Sequence, residues 1–339
     1  MWYGIYDRLL YALAFLEFKR GYVPVDGFHP TERYGSYATC NGTRYLSTRL
    51  MPLNIVPHVM MQERSMFHFA LRRPGEKEAV VHQLGAHRMA HNLALSCKNG
   101  VLYAYGGTDA RSQMAQWEGA HDGVYRARVV ADGSLRDPER MLGGRHDGCV
   151  EKRDGFGGRC EFDGKLSVVE FGGRTLLFAR ANTVARHGGR HVQVTSSADG
   201  RTAWAPFELL RVEGVRTEPG NNIYFFTADE WNATHLIGTY PAVFAEEHGG
   251  ATSGVFASYS TDGRVWTSPE LVVESDAFGE RVEMFPIGVR DGGVDVMHVN
   301  LLSGESGSEH GVSIWKYHLD RTAPTRIRGF DVDRVRLIQ

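Results

Sequence analysis

The sequence has no large excess of charge of either sign. It contains 38 Lys and Arg against 40 Asp and Glu, which gives a formal net charge of −2 at pH 7 and a pI near 6.7. The bulk charge therefore gives no electrostatic reason to expect nucleic acid or an anionic membrane surface as a partner.

Cysteine is scarce as well. Cys40, Cys97, Cys149 and Cys160 are too few for a disulfide scaffold, and their spacings match no zinc site. Cys149 and Cys160 flank a glycine-rich segment, so a bridge between them stays open, but we expect free buried thiols. We expect no cofactor, and a structural Ca²⁺ near the centre of the fold stays open.

Long apolar runs are absent. The longest near the amino terminus, Leu9 to Leu16, is too short to span a bilayer and is bounded by Asp7, Arg8 and Glu17. It has neither a basic leader nor a small-residue cleavage site. We expect a helical amino-terminal extension over residues 1–35, no membrane span, and a β domain over residues 36–339. The compartment, secreted or cytoplasmic, stays open.

Glycine and aromatic residues are abundant, with 40 Gly, 17 Phe, 14 Tyr and 6 Trp. Apolar runs broken by Asn99-Gly100, Gly172-Gly173 and Gly292-Gly293 predict β-hairpins. Aligning these turns brings Ala90, Asp163 and Glu283 into register. A hairpin with a longer turn adds Asn221, and a weaker copy adds Leu53 or Asn54.

These positions define a repeat. Their spacings are 37, 73, 58 and 62 residues, and a period of about 60 fits a four-stranded propeller blade. The sequence therefore predicts an all-β, five-bladed β-propeller, with six blades as the open alternative. The short first interval indicates that another segment completes the first blade, and residues 326–338 are the candidate.

A second pattern recurs in successive blades. Ser197 to Trp204 and Ser260 to Trp266 both read S-x-D-G-R followed by Trp. In such a turn Asp accepts backbone N–H bonds, Gly takes a positive φ and Trp packs on the blade. These stretches resemble the Asp boxes of sialidases. The chain also resembles the glycoside-hydrolase propellers of the five-bladed arabinanase and invertase-like group. The resemblance implies sugar-binding polar groups and acids around a central depression.

The candidate catalytic residues are three acids. Glu161 and Asp163 open the inner strand of the third blade, and Glu283 holds the position of Asp163 in the fifth. Glycoside hydrolysis commonly uses one protonated and one ionised carboxyl. We predict Asp163 as base or nucleophile, Glu283 as general acid and Glu161 as an orienting group. Alternatively, the acids pair with neighbouring basic residues and only anchor the strand.

Polar residues at equivalent positions are the candidate substrate-binding groups, because they offer donors and acceptors to sugar hydroxyls. They are Arg88, His91, Asn92, Arg159, Asn221, Asn222, Tyr224 and Arg281. Arg180 and Asn182 are expected at the rim, and the loop 143–159 is expected to overhang the depression. The sequence thus predicts a glycoside hydrolase with a carbohydrate substrate. The alternative is a non-catalytic glycan- or protein-binding propeller.

Overall fold

The computed structural model of the protein describes its residues in fifteen ranges, which contain 23 β-strands and no helix. The ranges are 32–50, 68–72, 80–83, 93–108, 122–131, 133–154, 156–162, 164–184, 189–217, 220–245, 251–274, 284–290, 292–300, 311–319 and 325–326. The predicted helical extension over residues 1–35 lies outside them except for residues 32–35, which belong to the first strand and not to a helix. Within the described ranges no helix could cross a membrane.

The strands form five antiparallel sheets that follow one another along the chain. The first holds β1 Glu32–Cys40, β2 Thr43–Leu50, β3 His68–Arg72 and β4 Val80–Gln83, and the second β5 Ala94–Lys98, β6 Val101–Thr108, β7 Gly123–Val129 and β8 Leu135–Gly143. The third holds β9 Ser167–Phe171, β10 Arg174–Asn182, β11 Arg190–Ser197 and β12 Glu208–Leu209, followed by the short β13 Arg211–Val212. The fourth holds β14 Asn222–Ile223, β15 Thr227–Asn232, β16 His235–Ala245, β17 Ala251–Ser260 and β19 Glu270–Glu274, with β18 Val265–Trp266 between the last two. The fifth holds β20 Met284–Arg290, β21 Gly293–Asn300, β22 Gly311–His318 and β23 Thr325–Arg326.

The sheets close into a ring through their inner strands. In chain order β1, β5, β9, β15 and β20 each contact the next, and β20 contacts β1. This closed arrangement confirms the predicted five-bladed β-propeller. It also brings residues from distant parts of the chain together around one axis.

The prediction for the first blade was wrong. Its inner strand is β1, which ends at the Asn41-Gly42 turn, whereas Leu53 and Asn54 lie outside the described residues. Both turn residues have positive φ (50° and 76°), as in the Asn99-Gly100 turn of the second blade. Glu32 lies as far before the Asn41-Gly42 turn as Ala90 lies before the Asn99-Gly100 turn, so Glu32 is the register position of the first blade. The interval from the first to the second register position is then 58 residues and not 37, in line with the other intervals.

Of the carboxyl-terminal segment predicted to complete the first blade, residues 326–338, only Arg326 lies among the described residues. β23, Thr325–Arg326, pairs with β22 and is the outer strand of the fifth sheet. The first blade is instead built from consecutive strands within residues 32–83. The described strands of the first blade thus already make a four-stranded sheet without a carboxyl-terminal strand.

The two S-x-D-G-R turns form as their chemistry predicts. Asp199 Oδ1 accepts the N–H groups of Arg201 and Thr202 at 2.8 and 2.7 Å. In the second turn Asp262 Oδ1 accepts the equivalent pair at 2.7 and 2.9 Å. The turns share one local structure because the same side-chain acceptor and glycine recur at the same spacing.

The tryptophan after each turn packs towards the preceding blade. Trp204 joins the apolar cluster of Tyr105 and Leu142 from the second sheet. Trp266 joins a cluster with Phe178, and its strand β18 pairs in parallel with β13. These indoles are buried and fill the gap between adjacent sheets, so both turns stabilise the ring.

All four cysteines are paired, which corrects the expectation of free thiols. Cys40–Cys97 joins the ends of β1 and β5, and so links the first two inner strands. Cys149–Cys160 closes the loop ahead of the third inner strand. The Cys149–Cys160 bridge is the one that the sequence left open, whereas Cys40 and Cys97 meet because the ring brings the first two inner strands together.

Candidate functional site

The segment 160–166 leads into β9 and alternates between two environments. Cys160 and Phe162 are buried in the cluster that joins the second and third blades. Glu161 and Lys165 are also buried, but they make polar contacts elsewhere. Gly107 of β6 lies directly against the Phe162 backbone, where a Cβ atom would sit 1.9 Å from the carbonyl oxygen. The second blade thereby holds the acidic segment in place.

Glu161 lies at the centre of a polar cluster. Its side chain is 1% exposed and pairs with Arg153, whose Nη2 is 2.8 Å from Oε2, and with Arg180 Nη1. Asn182 Nδ2 also donates to Glu161 Oε2. Two guanidinium groups and an amide thus stabilise the charge of this buried carboxylate.

Glu151 is the second carboxylate of the cluster. Asn182 Nδ2 donates to Glu151 Oε2 at 2.6 Å as well as to Glu161 Oε2, so both carboxyl groups accept hydrogen bonds from the same amide nitrogen. The N–H of Arg153 donates to Glu151 Oε1 at 2.8 Å. Burial, together with the negative charge of Glu161, raises the pKa of Glu151. One carboxyl is thus paired with cations while its neighbour is shifted towards its protonated form, an arrangement suited to acid–base chemistry.

The loop that carries Glu151 is tied to the blade at this point. Glu151 and Asn182 form a parallel β-bridge, and the N–H of Lys152 donates to the Asn182 carbonyl at 2.9 Å. The Cys149–Cys160 disulfide lies two residues before Glu151 and one before Glu161. Backbone pairing and a covalent bond therefore fix both acids relative to each other.

Tyr224 forms the other side of the cluster. The Cζ atoms of Arg180 and Arg190 lie 5.7 and 5.0 Å from the centroid of its ring. Its hydroxyl is 2.9 Å from the hydroxyl of Tyr34 on β1. The site thus combines residues of the third, fourth and first blades.

Three further predicted binding residues have defined contacts. Asn222 Oδ1 accepts the N–H of Arg190 at 3.3 Å, so Asn222 lies at the cluster. Asn221 bonds to backbone groups of Arg216 and Ala245, which is turn chemistry. Arg159 faces Asp122, with Nε 3.6 Å from Oδ2, and so pairs with a different carboxylate from Glu161.

The remaining predicted site residues lie outside the described residues. They are the proposed catalytic Asp163 and Glu283, together with Arg88, His91, Asn92 and Arg281. Their roles stay predictions.

Lys165 belongs to a separate buried cluster closer to the axis. Its Nζ donates to Thr227 Oγ1 at 2.8 Å and to the Pro286 carbonyl at 3.0 Å, which joins three blades. Burial lowers the pKa of Lys165 to about 7, and burial raises the pKa of nearby Asp229 to about 7. Asp229 as a whole residue is partly exposed, but the Oδ2 atom of its carboxyl group is buried. In the described part of the chain, no three His, Cys, Asp or Glu side chains group to hold a metal ion.

Sequence reasoning missed Glu151, Arg153, Arg190 and Tyr34. The first two lie in the loop that was expected to overhang the depression. Arg190 is the cross-strand partner of Asn182, a relation that the hairpin register would have given. Tyr34 was missed because the first inner strand was misplaced.

A scan with protein-family models gives no match, and no curated protein matches the sequence. Solved structures do match. The GH93 α-L-arabinofuranosidase of Fusarium graminearum, in complex with arabinobiose, has a TM-score of 0.50 and 10% identity over 92% of this chain and 84% of its own. The α-L-arabinanase of Penicillium chrysogenum, also in complex with arabinobiose, has a TM-score of 0.49 and 11% identity over 91% of this chain and 84% of its own. An N-acetylgalactosamine deacetylase from F. plautii, in complex with blood group B trisaccharide, has a TM-score of 0.47 and 12% identity over 93% of this chain and 91% of its own. The first likeness agrees with the propeller fold, and at these identities none of them extends beyond the fold.

Proposed function

We propose that the protein is a glycoside hydrolase that acts on an oligo- or polysaccharide at the carboxylate cluster of the third blade. The observation that carries the proposal is the pair Glu151 and Glu161, which share the Asn182 amide but lie in different electrostatic surroundings. Glycosidases need one carboxyl that donates a proton and one that stays ionised.

Three features add support. The cluster lies where inner strands of a closed ring converge, and its rim offers amide, hydroxyl and guanidinium groups that match sugar hydroxyls. The structure with a TM-score of 0.50 to this chain is an α-L-arabinofuranosidase in complex with arabinobiose. The two S-x-D-G-R turns resemble the Asp boxes of sialidases.

The roles follow from the surroundings of each acid. Glu161, paired with two arginines, orients and tunes the site. For the base or nucleophile the proposal keeps Asp163, which the sequence repeat predicts and which lies outside the described residues. Two residues compete for the role of general acid. Glu283 is the choice from the sequence repeat, whereas the raised pKa of Glu151 favours Glu151.

The test is a panel of oligo- and polysaccharides incubated with the wild type, with released sugar measured by mass spectrometry. Asp163→Asn should lower the rate by about 10²–10⁴-fold. The matched control is Glu139→Gln, which removes an ion-paired, partly exposed carboxylate on β8 and should keep full activity.

Glu151→Gln and Glu283→Gln separate the two candidate acids. Loss of the true proton donor should abolish hydrolysis of natural linkages but spare aryl glycosides, whose phenolate leaving group needs no proton. If the wild type binds glycans and releases none from the whole panel, the hydrolase proposal fails and the protein is a binding propeller.

A further inference from the structure

Two stretches of the chain carry the acceptor pattern for asparagine-linked glycosylation, in which a Ser or Thr hydroxyl follows two residues after Asn. They are Asn41-Gly42-Thr43 and Asn232-Ala233-Thr234. In the structure both lie at the tips of inner hairpins, the first between β1 and β2 and the second between β15 and β16. Both asparagines are exposed. The pattern alone makes the two stretches equivalent, but the surroundings of their amide groups differ.

The Asn232 amide is held by its oxygen and leaves its nitrogen open. Asn232 Oδ1 accepts the N–H and the hydroxyl of Thr234, each at 2.9 Å, and Nδ1 of His235 lies 3.3 Å from the same oxygen. No group among the described residues accepts a hydrogen bond from Asn232 Nδ2, and the turn residues Ala233 and Thr234 are exposed as well. The hydroxyl that the pattern requires therefore contacts the acceptor amide, and the nitrogen that would carry the sugar faces solvent.

The Asn41 amide is packed against a neighbouring blade. Asn41 Nδ2 donates to the Gly100 carbonyl at 2.8 Å, at the tip of the β5–β6 hairpin. A Cβ atom on Gly100 would lie 3.0 Å from Asn41 Oδ1, and the Cys40–Cys97 disulfide ties the same two hairpins together. A sugar on Asn41 Nδ2 would therefore have to fit between two hairpins that are bonded to each other.

The cysteines point to a compartment in which such a modification takes place. All four are paired, in Cys40–Cys97 and Cys149–Cys160. Disulfides form and persist in oxidising environments such as the lumen of the endoplasmic reticulum and are rare in the cytosol. The disulfides and the exposed acceptor stretch are independent features of the chain, and both fit a secreted protein.

The position of Asn232 keeps a glycan away from the candidate site. Asn232 ends β15, whereas Asn222 and Tyr224, which lie at the carboxylate cluster, come before β15 begins. The strand thus separates the acceptor from the cluster, so a glycan at this hairpin tip would leave the cluster open.

We propose that Asn232 carries an N-linked glycan and that the chain is made in the secretory pathway. In the transfer, Asn232 Nδ2 bonds to the anomeric carbon of an oligosaccharide that is carried on a lipid diphosphate. The bond between that carbon and the diphosphate oxygen breaks, Nδ2 loses one proton, and the lipid diphosphate leaves. The proposal does not rest on the glycoside hydrolase activity and stands or falls separately from it.

The test is made on the protein purified from the cells that naturally produce it. A peptide N-glycosidase, in water enriched in heavy oxygen, releases the glycan and turns the modified Asn into a labelled Asp that peptide mass spectrometry locates. The label should fall on Asn232, and the enzyme should increase the mobility of the intact protein on a denaturing gel. The labelled fraction should be higher at Asn232 than at Asn41.

Variants produced in the same cells identify the acceptor. Asn232→Gln and Thr234→Ala should each remove the mobility shift, and Thr234→Ser, which keeps the hydroxyl, should retain it. Asn41→Gln is the matched control, because it removes the other acceptor amide at an equivalent hairpin tip, and it should leave the shift unchanged. Circular dichroism with thermal melts checks that each variant is folded.

An unlabelled Asn232 in the wild-type protein overturns the proposal without any variant. A shift that survives in Asn232→Gln or in Thr234→Ala overturns it as well. A labelled fraction at Asn41 equal to or above that at Asn232 overturns the choice of acceptor, which depends on the difference between the two amides.

Discussion

Replacing Lys165 by Met tests whether the buried polar cluster near the axis holds three blades together. Lys165 is 3% exposed, and methionine keeps its length and apolar stem but removes the ammonium group. Thr227 Oγ1 and the Pro286 carbonyl would each lose a donor, and the Asp229 carboxylate would lose a neighbouring positive charge.

The expected cost at pH 7 is about 1–3 kcal/mol of unfolding free energy, the range for leaving a buried hydrogen-bond acceptor without its donor. The full cost of a broken ion pair does not apply, because burial already lowers the pKa of Lys165 to about 7. Lys98→Met is the matched control. Lys98 also contacts a threonine and a carboxylate, Thr175 and Glu170, but its side chain is 18% exposed. A partly exposed pair of this kind contributes about 1 kcal/mol or less. Urea unfolding followed by tryptophan fluorescence and circular dichroism measures both variants.

The cost should also depend on pH. Burial raises the folded-state pKa of Asp229 from 3.8 to about 7, so the folded state binds this proton more tightly than the unfolded chain. The associated stability is present at low pH and is lost as pH rises through 7. The Lys165 ammonium opposes that loss by favouring the ionised carboxyl. The cost of Lys165→Met should therefore be larger at pH 7 than at pH 5, where Asp229 is protonated. A cost equal to that of Lys98→Met, or one that is larger at pH 5, would refute the reasoning.

Three other predictions concern the turns, the loop and the buried acid. Hydrogen bonds from Thr202 lower the pKa of Asp199, so its stabilising effect is present above the usual carboxyl pKa and fades as pH falls. The Tm difference between wild type and Asp199→Asn should therefore narrow from pH 5 to pH 3, and a constant difference would contradict this. Cys149→Ser with Cys160→Ser opens a short loop and should lower the unfolding free energy by up to about 3 kcal/mol in urea titrations; no change would argue against the bridge. Glu161→Gln leaves two guanidinium groups without their counter-charge and should cost about 3 kcal/mol by the same titration, so an unchanged midpoint would contradict the pairing.

Much of the fold could be predicted because the relevant interactions are local. An Asn-Gly turn fixes a hairpin through the positive φ of both residues, and the S-x-D-G-R turn folds on bonds within a few residues. The five-bladed ring follows once such hairpins recur at about 60 residues. The first blade was misplaced because a weak copy at Leu53 was chosen over the Asn41-Gly42 turn.

The candidate site divides in the same way. Alternation of successive side chains in an extended segment places Glu161 and Lys165 opposite Cys160 and Phe162, and the structure shows this division ahead of β9. The partners of these residues could not be read from the chain. Glu161 pairs with Arg153 and Arg180, whereas its neighbours in the sequence, Arg159 and Lys165, contact Asp122 and Thr227.

The repeat, the hairpin turns and the alternation of side chains before β9 could be predicted from the sequence, because they depend on backbone geometry within a few residues. Which charged side chains lie together in one buried cluster could be seen only in the tertiary structure, since it depends on how the five sheets close around an axis. Closure set Arg190 and Tyr224 beside the Glu151 and Glu161 pair, and it set Lys165 among the fourth and fifth blades. Burial then shifted the pKa values of Glu151, Lys165 and Arg190, because a low-dielectric environment penalises a charged group. Neighbouring charges, which ring closure brings close, increase or offset that penalty.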